Sequence, residues 1–306
     1  MMGAIKTFKD SFFLYSFLRD PMAISSFLVL ATLVVISFGA PIIAPFDPYD
    51  QTIIDIMDSE IAPIWDEAGD KRFLLGTDPQ GRDMLSTMLY GMRVSILIGL
   101  GAVALQSFIG IIVGLVAGYR GGKTEAFLMR LADVQLSFST YMVAIFLGAL
   151  FQGLFGMGVY ENYAVPLLIM IIGLAEWPQY ARTVRASVMA EKKKEYVEAA
   201  RVVGLKPTRI MWRHILPNTM TPVLVISTVQ VANAIMSEAA LSFIGLGMPV
   251  SQPSLGSLIK SGFDYIFSGS WWITLFPGIA LLVLCLFINL LGNWVRDFLN
   301  PKLYKE

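Results

Sequence analysis

Residues capable of catalysis or metal binding are few in this sequence of 306 residues. The chain contains one histidine, His214, and one cysteine, Cys285. A disulfide or a zinc site needs several such side chains, and a Ser/His/Asp arrangement would have His214 as its only candidate base. We therefore expect no catalytic residues and no metal site in this chain.

One segment resembles a nucleotide-binding motif. Residues 117–124 read A-G-Y-R-G-G-K-T, a relaxed form of a phosphate-binding loop. Such a loop follows a β-strand and opens a helix, so that backbone N–H groups converge on the phosphates. Here 26 uncharged residues lie between Arg93 and Arg120 just before it. We interpret the segment as a glycine turn between two membrane spans and expect no cofactor in this chain.

The composition predicts an all-α integral membrane protein. Hydrophobic residues make up 56% of the chain and charged residues 15%, and the mean hydropathy is +0.65. Soluble domains carry about 25% charged residues, and a bilayer core of about 30 Å needs about 20 apolar helical residues. The stretches poor in charge predict six spans, at 23–44, 94–119, 134–160, 162–181, 217–241 and 271–294. The fourth is the weakest, because it contains Glu176 and two prolines.

The distribution of basic residues predicts the orientation. Lys and Arg are retained on the cytoplasmic side of a membrane. With both termini in the cytoplasm, 18 of the 23 basic residues lie inside and 5 outside. Span 1 is longer than the apolar core of a cleaved signal peptide and no A-x-A site follows it, so we expect it to be retained.

These expectations divide the chain into five segments. They are a cytoplasmic N-terminal tail (1–22), span 1 (23–44), an outer loop (45–88), a transmembrane core (89–294) and a cytoplasmic C-terminal tail (295–306). The outer loop holds 10 of the 23 acidic residues and is long enough to fold as a small cap. Within it, Thr77-Asp78-Pro79 is typical of a helix N-terminus.

Small residues in the second span predict close helix packing. Gly110, Gly114 and Gly118 recur at four-residue spacing, which places them on one face of a helix. Such a ladder allows the backbone of another helix to approach closely.

The cytoplasmic loop 191–217, within the transmembrane core segment, is the most informative part of the chain. Its composition predicts one helix from Glu191 to Val203, ended by Gly204, and a second from Pro207 to Pro217. Nine basic residues lie between Arg182 and Arg213, so the loop could be a solvated connection. We also expect apolar side chains to be exposed among those charges, and such exposure indicates instead a protein partner. These side chains are Tyr196, Val197, Val203, Leu205, Ile210, Met211 and Trp212.

The same loop carries a family resemblance. Glu198-Ala199-Ala200, Gly204 and Leu216-Pro217 resemble the E-A-A loop of permease subunits from ABC importers. His214 stands where the family usually has an aliphatic residue, as is often found in its dipeptide and oligopeptide branch. Other segments resemble the same branch: Gly76-Thr77-Asp78 with Gly81-Arg82-Asp83, Glu238 to Gly247, and Asn289-Leu290-Leu291-Gly292 with Arg296-Asp297.

The resemblance implies a fold, a location and a set of partners. The fold is that of a type I ABC importer permease with six transmembrane helices in a bacterial inner membrane. The partners are a second homologous permease subunit, two cytosolic ATPase subunits that hold ATP and Mg²⁺, and an extracytoplasmic binding protein. Membrane lipid surrounds the chain, and its net charge of zero gives no reason to expect nucleic acid.

The resemblance also implies a cargo, short peptides such as dipeptides and oligopeptides. Nickel complexes, opines and sugars are alternative cargoes of the same machinery. An ATP-independent secondary transporter is less favoured, because it would need more ionisable groups in its spans and a repeat relating its halves. An intramembrane enzyme would need a catalytic constellation that one histidine and one cysteine do not supply.

Two groups of candidate site residues follow. In the family the E-A-A loop forms a coupling helix that sits in a groove of the ATPase subunit. The residues that the resemblance assigns to this coupling are Glu198, Ala199, Ala200, Gly204, Leu205, Pro207, His214 and Pro217.

The second group lies in span 5. Ser227, Gln230, Asn233 and Ser237 recur at steps of three and four and share one helical face, and Glu238 follows them. Polar groups facing lipid are costly, so this face predicts the lining of a wet pathway or an interface with the paired subunit. Glu238 could contact a substrate amine, gate the cavity or pair with Lys260.

Overall fold

The computed structural model describes residues 12–50, 52 and 54–299. Parts of both predicted tails, with Lys6, Lys9, Lys302 and Lys305, lie outside these residues. Within them the regular structure is helical, with only isolated bridges between extended residues. The helices are α1 (Phe12–Arg19), α2 (Pro21–Phe38), α3 (Ala40–Ile43), α4 (Met84–Arg120), α5 (Gly122–Leu136), α6 (Thr140–Phe155), α7 (Met157–Asn162), α8 (Ala164–Glu191), α9 (Glu195–Val202), α10 (Pro207–Arg209), α11 (Met220–Phe243), α12 (Leu255–Asp264) and α13 (Trp272–Phe298).

Five of the described helical segments are long and apolar enough to cross a membrane. They are α2, α4, α8, the continuous run Pro207–Phe243 and α13. A sixth span is reached if α5 and α6 count as one, since they pass the same test together but bend by 91° at their junction. The Ser137 hydroxyl donates to the Asp133 carbonyl at this break, a local bond that competes with helix continuation. The sequence alone predicts one continuous third span there, at 134–160.

The glycine turn predicted at residues 117–124 is confirmed. Helix α4 runs to Arg120, Gly121 adopts the left-handed region with φ +68°, and α5 begins at Gly122. The motif therefore joins two helices and does not follow a strand, as a phosphate-binding loop would require.

The described residues form two compact units. The first contains the residues up to Leu97 and those from Glu238 onward, and the second is Ile98–Ser237. Helices α4 and α11 contribute residues to both units.

The second unit is built on the close approach of α4 and α8. A Cβ added to Gly114 would lie 2.5 Å from the Ala181 carbonyl oxygen, and one added to Gly118 would lie 2.8 Å from the Val188 Cβ. Gly110 is equally crowded. The close packing predicted from the four-residue glycine spacing is confirmed.

A single methyl group tests this contact. We expect Gly114→Ala to destabilise the protein by about 1–3 kcal/mol, because the added atom forces two backbones apart. Thermal unfolding in detergent measures the change. Gly153→Ala in α6 is the matched control, because an added Cβ there meets nothing within 4 Å. An unchanged melting temperature for Gly114→Ala would contradict the packing.

In the first unit, the helix start predicted at Thr77-Asp78-Pro79 is wrong. The Asp78 carboxylate accepts the N–H groups of Gln80 and Arg82, each at 2.9 Å, and closes a turn. Gly81 then adopts φ +80°, which a right-handed helix does not allow.

Helix α4 begins instead at Met84. The Asp83 carboxylate accepts the Ser86 N–H at 2.8 Å and the Ser86 hydroxyl at 2.6 Å, which satisfies one free backbone donor of the first turn. Burial raises the pKa of the Asp83 carboxyl, and the Ser86 bonds oppose that rise.

The segment between α3 and α4, which is the predicted outer loop, is held by a buried ion pair. Asp78 and Arg82 are both buried and lie 2.7 Å apart, and the Arg82 guanidinium also donates to the Val250 carbonyl at 2.9 Å. The Trp272 indole N–H donates to the Thr77 carbonyl at 3.2 Å. The segment is therefore tied both to the start of α13 and to the loop after α11.

Removing one partner of the buried pair is expected to be costly. Asp78→Ala leaves the Arg82 guanidinium buried without its carboxylate, which costs about 3–5 kcal/mol. Arg72→Ala is the control, because Arg72 forms its ion pairs with Asp58 and Asp70 largely in solvent, where such pairs are worth about 0–1 kcal/mol. Thermal unfolding of the two variants should separate them clearly, and equal melting temperatures would contradict the assignment.

Candidate functional site

The predicted cytoplasmic loop folds as a bent pair of short helical segments, which we call the elbow (residues 192–219). Its first helix is α9, and it starts at Glu195 because α8 continues to Glu191. The helix ends before Gly204, as predicted. Gly204 has φ +80°, and the Leu205 N–H donates to the Ala200 carbonyl at 3.1 Å, the bond typical of a glycine-terminated helix.

The sequence predicts that the second helical segment ends at Pro217, and this prediction is wrong. After α10, residues Ile210–Ile215 form a π-helical turn and Leu216–Thr219 a 3₁₀ turn, and the backbone continues into α11. A proline removes one N–H and clashes with the preceding turn, and a wider helical turn relieves that conflict. The elbow is thus continuous with the fifth span.

A hydrophobic cluster joins the elbow to the spans of the second unit. On the elbow it contains Val197, Ala200, Ile210, Met211 and Ile215. On the helices it contains Leu115, Tyr180, Val184, Val188 and Val223. The expectation that Val197, Ile210 and Met211 are exposed is therefore wrong, because helical periodicity turns them to the inner face of the elbow.

The solvent-exposed face of the elbow, which we call its outer face, is partly apolar. Val202 is 89% exposed and Val203 78%, and Trp212 is also exposed. Gly204 lies beside the two valines, and a Cβ added there would meet nothing within 4 Å. An exposed apolar patch next to open space is typical of a surface that receives a partner.

The remaining predicted coupling residues lie around this patch. Glu198 is exposed, and its carboxylate is 3.4 Å from the Arg201 guanidinium. Ala199 and Pro207 are exposed, whereas Ala200 faces the cluster and Leu205 is half-buried.

A tyrosine ties the two ends of the elbow together. The Tyr196 hydroxyl donates to the Glu191 carboxylate at 2.6 Å and accepts from the Asn218 amide at 3.3 Å. Partial burial, together with the bond to Glu191, raises the pKa of Tyr196 to about 12, so the hydroxyl keeps its proton at neutral pH. Asn218 also donates to the His214 carbonyl at 2.8 Å, beside the exposed Pro217.

Two valines of α9 allow the packing of the elbow to be tested separately from its contact with a partner. Val197→Ala removes buried methyl groups, so we expect a loss of about 1–2 kcal/mol and faster hydrogen exchange in residues 195–215. Val202→Ala, on the same helix but exposed, should leave exchange unchanged. Equal exchange in the two variants would contradict the buried position of Val197.

The polar face of α11 points toward one acidic residue on α8. Ser237 donates to the Glu176 carboxylate at 3.2 Å, and the Gln230 amide lies 3.4 Å from it. Asn233 donates to Gln230 at 2.7 Å. Ser227 lies further along the helix and accepts from the Tyr180 hydroxyl at 3.0 Å. In the sequence, Glu176 attracts notice only as a charge that weakens the prediction of span 4. An acidic residue within an apolar span is, however, itself an indication of a functional site.

A cavity of about 170 Å³ opens beside this carboxylate. It lies wholly within the second unit. Its lining residues are Thr140, Tyr141, Glu176, Gln179, Asn233, Met236 and Ser237. Of the predicted pathway residues, Asn233 and Ser237 line it, whereas Ser227 and Gln230 do not.

Glu238 belongs to the first unit and has a different environment. It is fully buried, and its carboxylate accepts the hydroxyls of Ser95 at 2.9 Å and Ser242 at 2.6 Å. Lys260 pairs with Asp264 at 2.5 Å, so the suggested pair between Glu238 and Lys260 is not formed.

The helical spans, the elbow and the polar cavity define a membrane-embedded transport subunit. Residues 110–305 match the family described as "binding-protein-dependent transport system inner membrane component", and residues 11–63 match the N-terminal transmembrane domain of oligopeptide transport permease C. The chain belongs to this family of ABC importer permeases and is a multi-pass inner-membrane protein that works with other ABC subunits.

Curated relatives match over nearly the full length. The chain is 36% identical to the di/tripeptide transport system permease protein DppC of Pseudomonas aeruginosa, over 95% of this chain and 91% of that protein. It is 34% identical to the dipeptide transport system permease protein DppC of Haemophilus influenzae, over 98% and 97% of the two chains.

A solved structure supports the fold. The inward-facing MetNI methionine ABC transporter aligns with a TM-score of 0.51 and 18% identity, over 71% of this chain and 98% of that chain. The fold is therefore that of a type I ABC importer permease.

Proposed function

We propose that this chain forms, with a second homologous permease, the inner-membrane pathway of an ATP-driven importer of short peptides. The observation that carries the cargo is the match, over almost the whole chain, to relatives named as dipeptide and di/tripeptide permeases. Nickel complexes, opines and sugars remain alternative cargoes of the same machinery. An extracytoplasmic binding protein delivers the peptide to the outer face.

Chemistry is left to the partner subunits in this proposal. Two cytosolic ATPases hold ATP and Mg²⁺, and this chain holds no cofactor. Both termini lie in the cytoplasm, in accordance with the distribution of 18 basic residues inside and 5 outside. The elbow then faces the ATPases on the cytoplasmic side.

The elbow transmits the ATPase movement to the spans. Transmission needs stiffness, because a loose loop would absorb the motion. The buried cluster of Val197, Ile210 and Met211 and the bonds of Tyr196 supply that stiffness. The exposed Val202 and Val203 supply an apolar contact, and Gly204 lets the partner backbone come close.

A bulky residue at Gly204 tests the coupling. We expect Gly204→Trp to reduce ATP-driven peptide uptake at least tenfold in liposomes that contain the assembled transporter, because the indole occupies the space reserved for the ATPase. Gly204→Ala is the size control and should retain most uptake. The spans should stay folded in both variants, which gel filtration and thermal unfolding check. Normal uptake by Gly204→Trp would contradict the role of the elbow.

A further inference from the structure

In the part of the chain that the structure describes, Glu176 has no cationic partner. It is 5% exposed, and its two hydrogen-bond partners, Ser237 and Gln230, are neutral. Among the described residues, no Lys, Arg or His nitrogen lies within 4 Å of its carboxylate. An intramembrane acid is costly to keep unless a cation meets it, so the carboxylate indicates a ligand or partner that supplies one.

The cavity beside Glu176 fits a small polar group. Its volume of about 170 Å³ is below the roughly 300 Å³ of a pocket that encloses a whole small molecule. The space accommodates one end of a longer ligand, with the remainder outside. A site of this size suits a ligand that binds transiently during transport better than a ligand that is fully enclosed.

The polar groups around the cavity are arranged to accept hydrogen bonds from a cation. Asn233 donates its amide hydrogen to Gln230 at 2.7 Å, so its carbonyl oxygen remains an acceptor. Gln179 and Tyr141, whose side chains also carry oxygen atoms, line the same cavity. One carboxylate with several neutral oxygens suits an ammonium group, which has three donors and one positive charge.

We propose that the cavity beside Glu176 binds the ammonium group at the amino end of a peptide as it passes through the permease. The inference rests on the proposed function, since peptides are the cargo that brings such a group. Glu176 holds the charge, Ser237 and Gln230 hold the Glu176 carboxylate in place, and Asn233 accepts a further hydrogen bond. The peptide carboxyl end would be repelled, so the site also orients the cargo.

Uptake of radiolabelled Ala-Ala by liposomes containing the full transporter tests the site. Glu176→Gln keeps the shape but removes the charge and one of the two acceptor oxygens, and it should lower the maximal uptake rate at least tenfold. The concentration of loaded binding protein that gives half-maximal uptake should not change, because that protein docks on the outer face. Glu161→Gln, at an exposed glutamate of α7, is the control and should transport normally.

A variant that moves the carboxylate to a neighbouring residue tests whether Glu176 binds the ligand or only supports the structure. In the double variant Glu176→Gln with Gln230→Glu, the charge returns to the adjacent position in the same cluster. Uptake should recover to within threefold of the wild-type rate. Loss of uptake without recovery in the double variant would assign Glu176 a structural role and overturn the proposal.

The remaining outcomes are also decisive. Normal uptake by Glu176→Gln overturns the ammonium site and leaves the proposed function intact. Failure of Glu176→Gln to purify with the second permease would mean that a cation of that subunit pairs with Glu176, which also overturns the site. Absence of ATP-dependent Ala-Ala uptake by the wild-type transporter refutes the peptide function itself, and the ammonium site with it.

Discussion

The elbow and the cavity beside Glu176, which both lie in the second unit, depend on the close contact between α4 and α8. Glycines at positions 110, 114 and 118 bring the two helix backbones together where any larger side chain would collide. Tyr180, Val184 and Val188, which follow along α8, then continue into the hydrophobic cluster beneath the elbow. The helix pair and the elbow therefore share one continuous core, so a force on the elbow reaches the spans directly.

In the proposed function, the elbow and the cavity serve two different steps of transport and present two different kinds of surface. The inner face of the elbow is apolar and buried, which gives it stiffness, while its outer face exposes Val202 and Val203 for a partner. The cavity at Glu176 is polar and lies within an apolar span.

The sequence predicts the helical membrane class, the glycine contact and the end of α9, because each depends on local composition or spacing. It fails where a longer-range contact decides the structure. The sequence predicts Asp78 to be a helix cap, because its pairing with Arg82 becomes visible only in the structure. The sequence likewise predicts Val197 to be exposed, because its partners on α8 are distant along the chain. Glu176 is visible in the sequence, but its convergence with Ser237 and Gln230 requires the packing of α8 on α11.

The most direct test of the central claim is a disulfide between the elbow and an ATPase subunit. The only native cysteine, Cys285, is buried, so a cysteine introduced at Val203 would be the reactive one. We predict that Val203→Cys forms a cross-link with a cysteine placed in the ATPase groove, and that the cross-link stops ATP-driven uptake until it is reduced. No cross-link, or a cross-link that leaves uptake unchanged, would contradict the account.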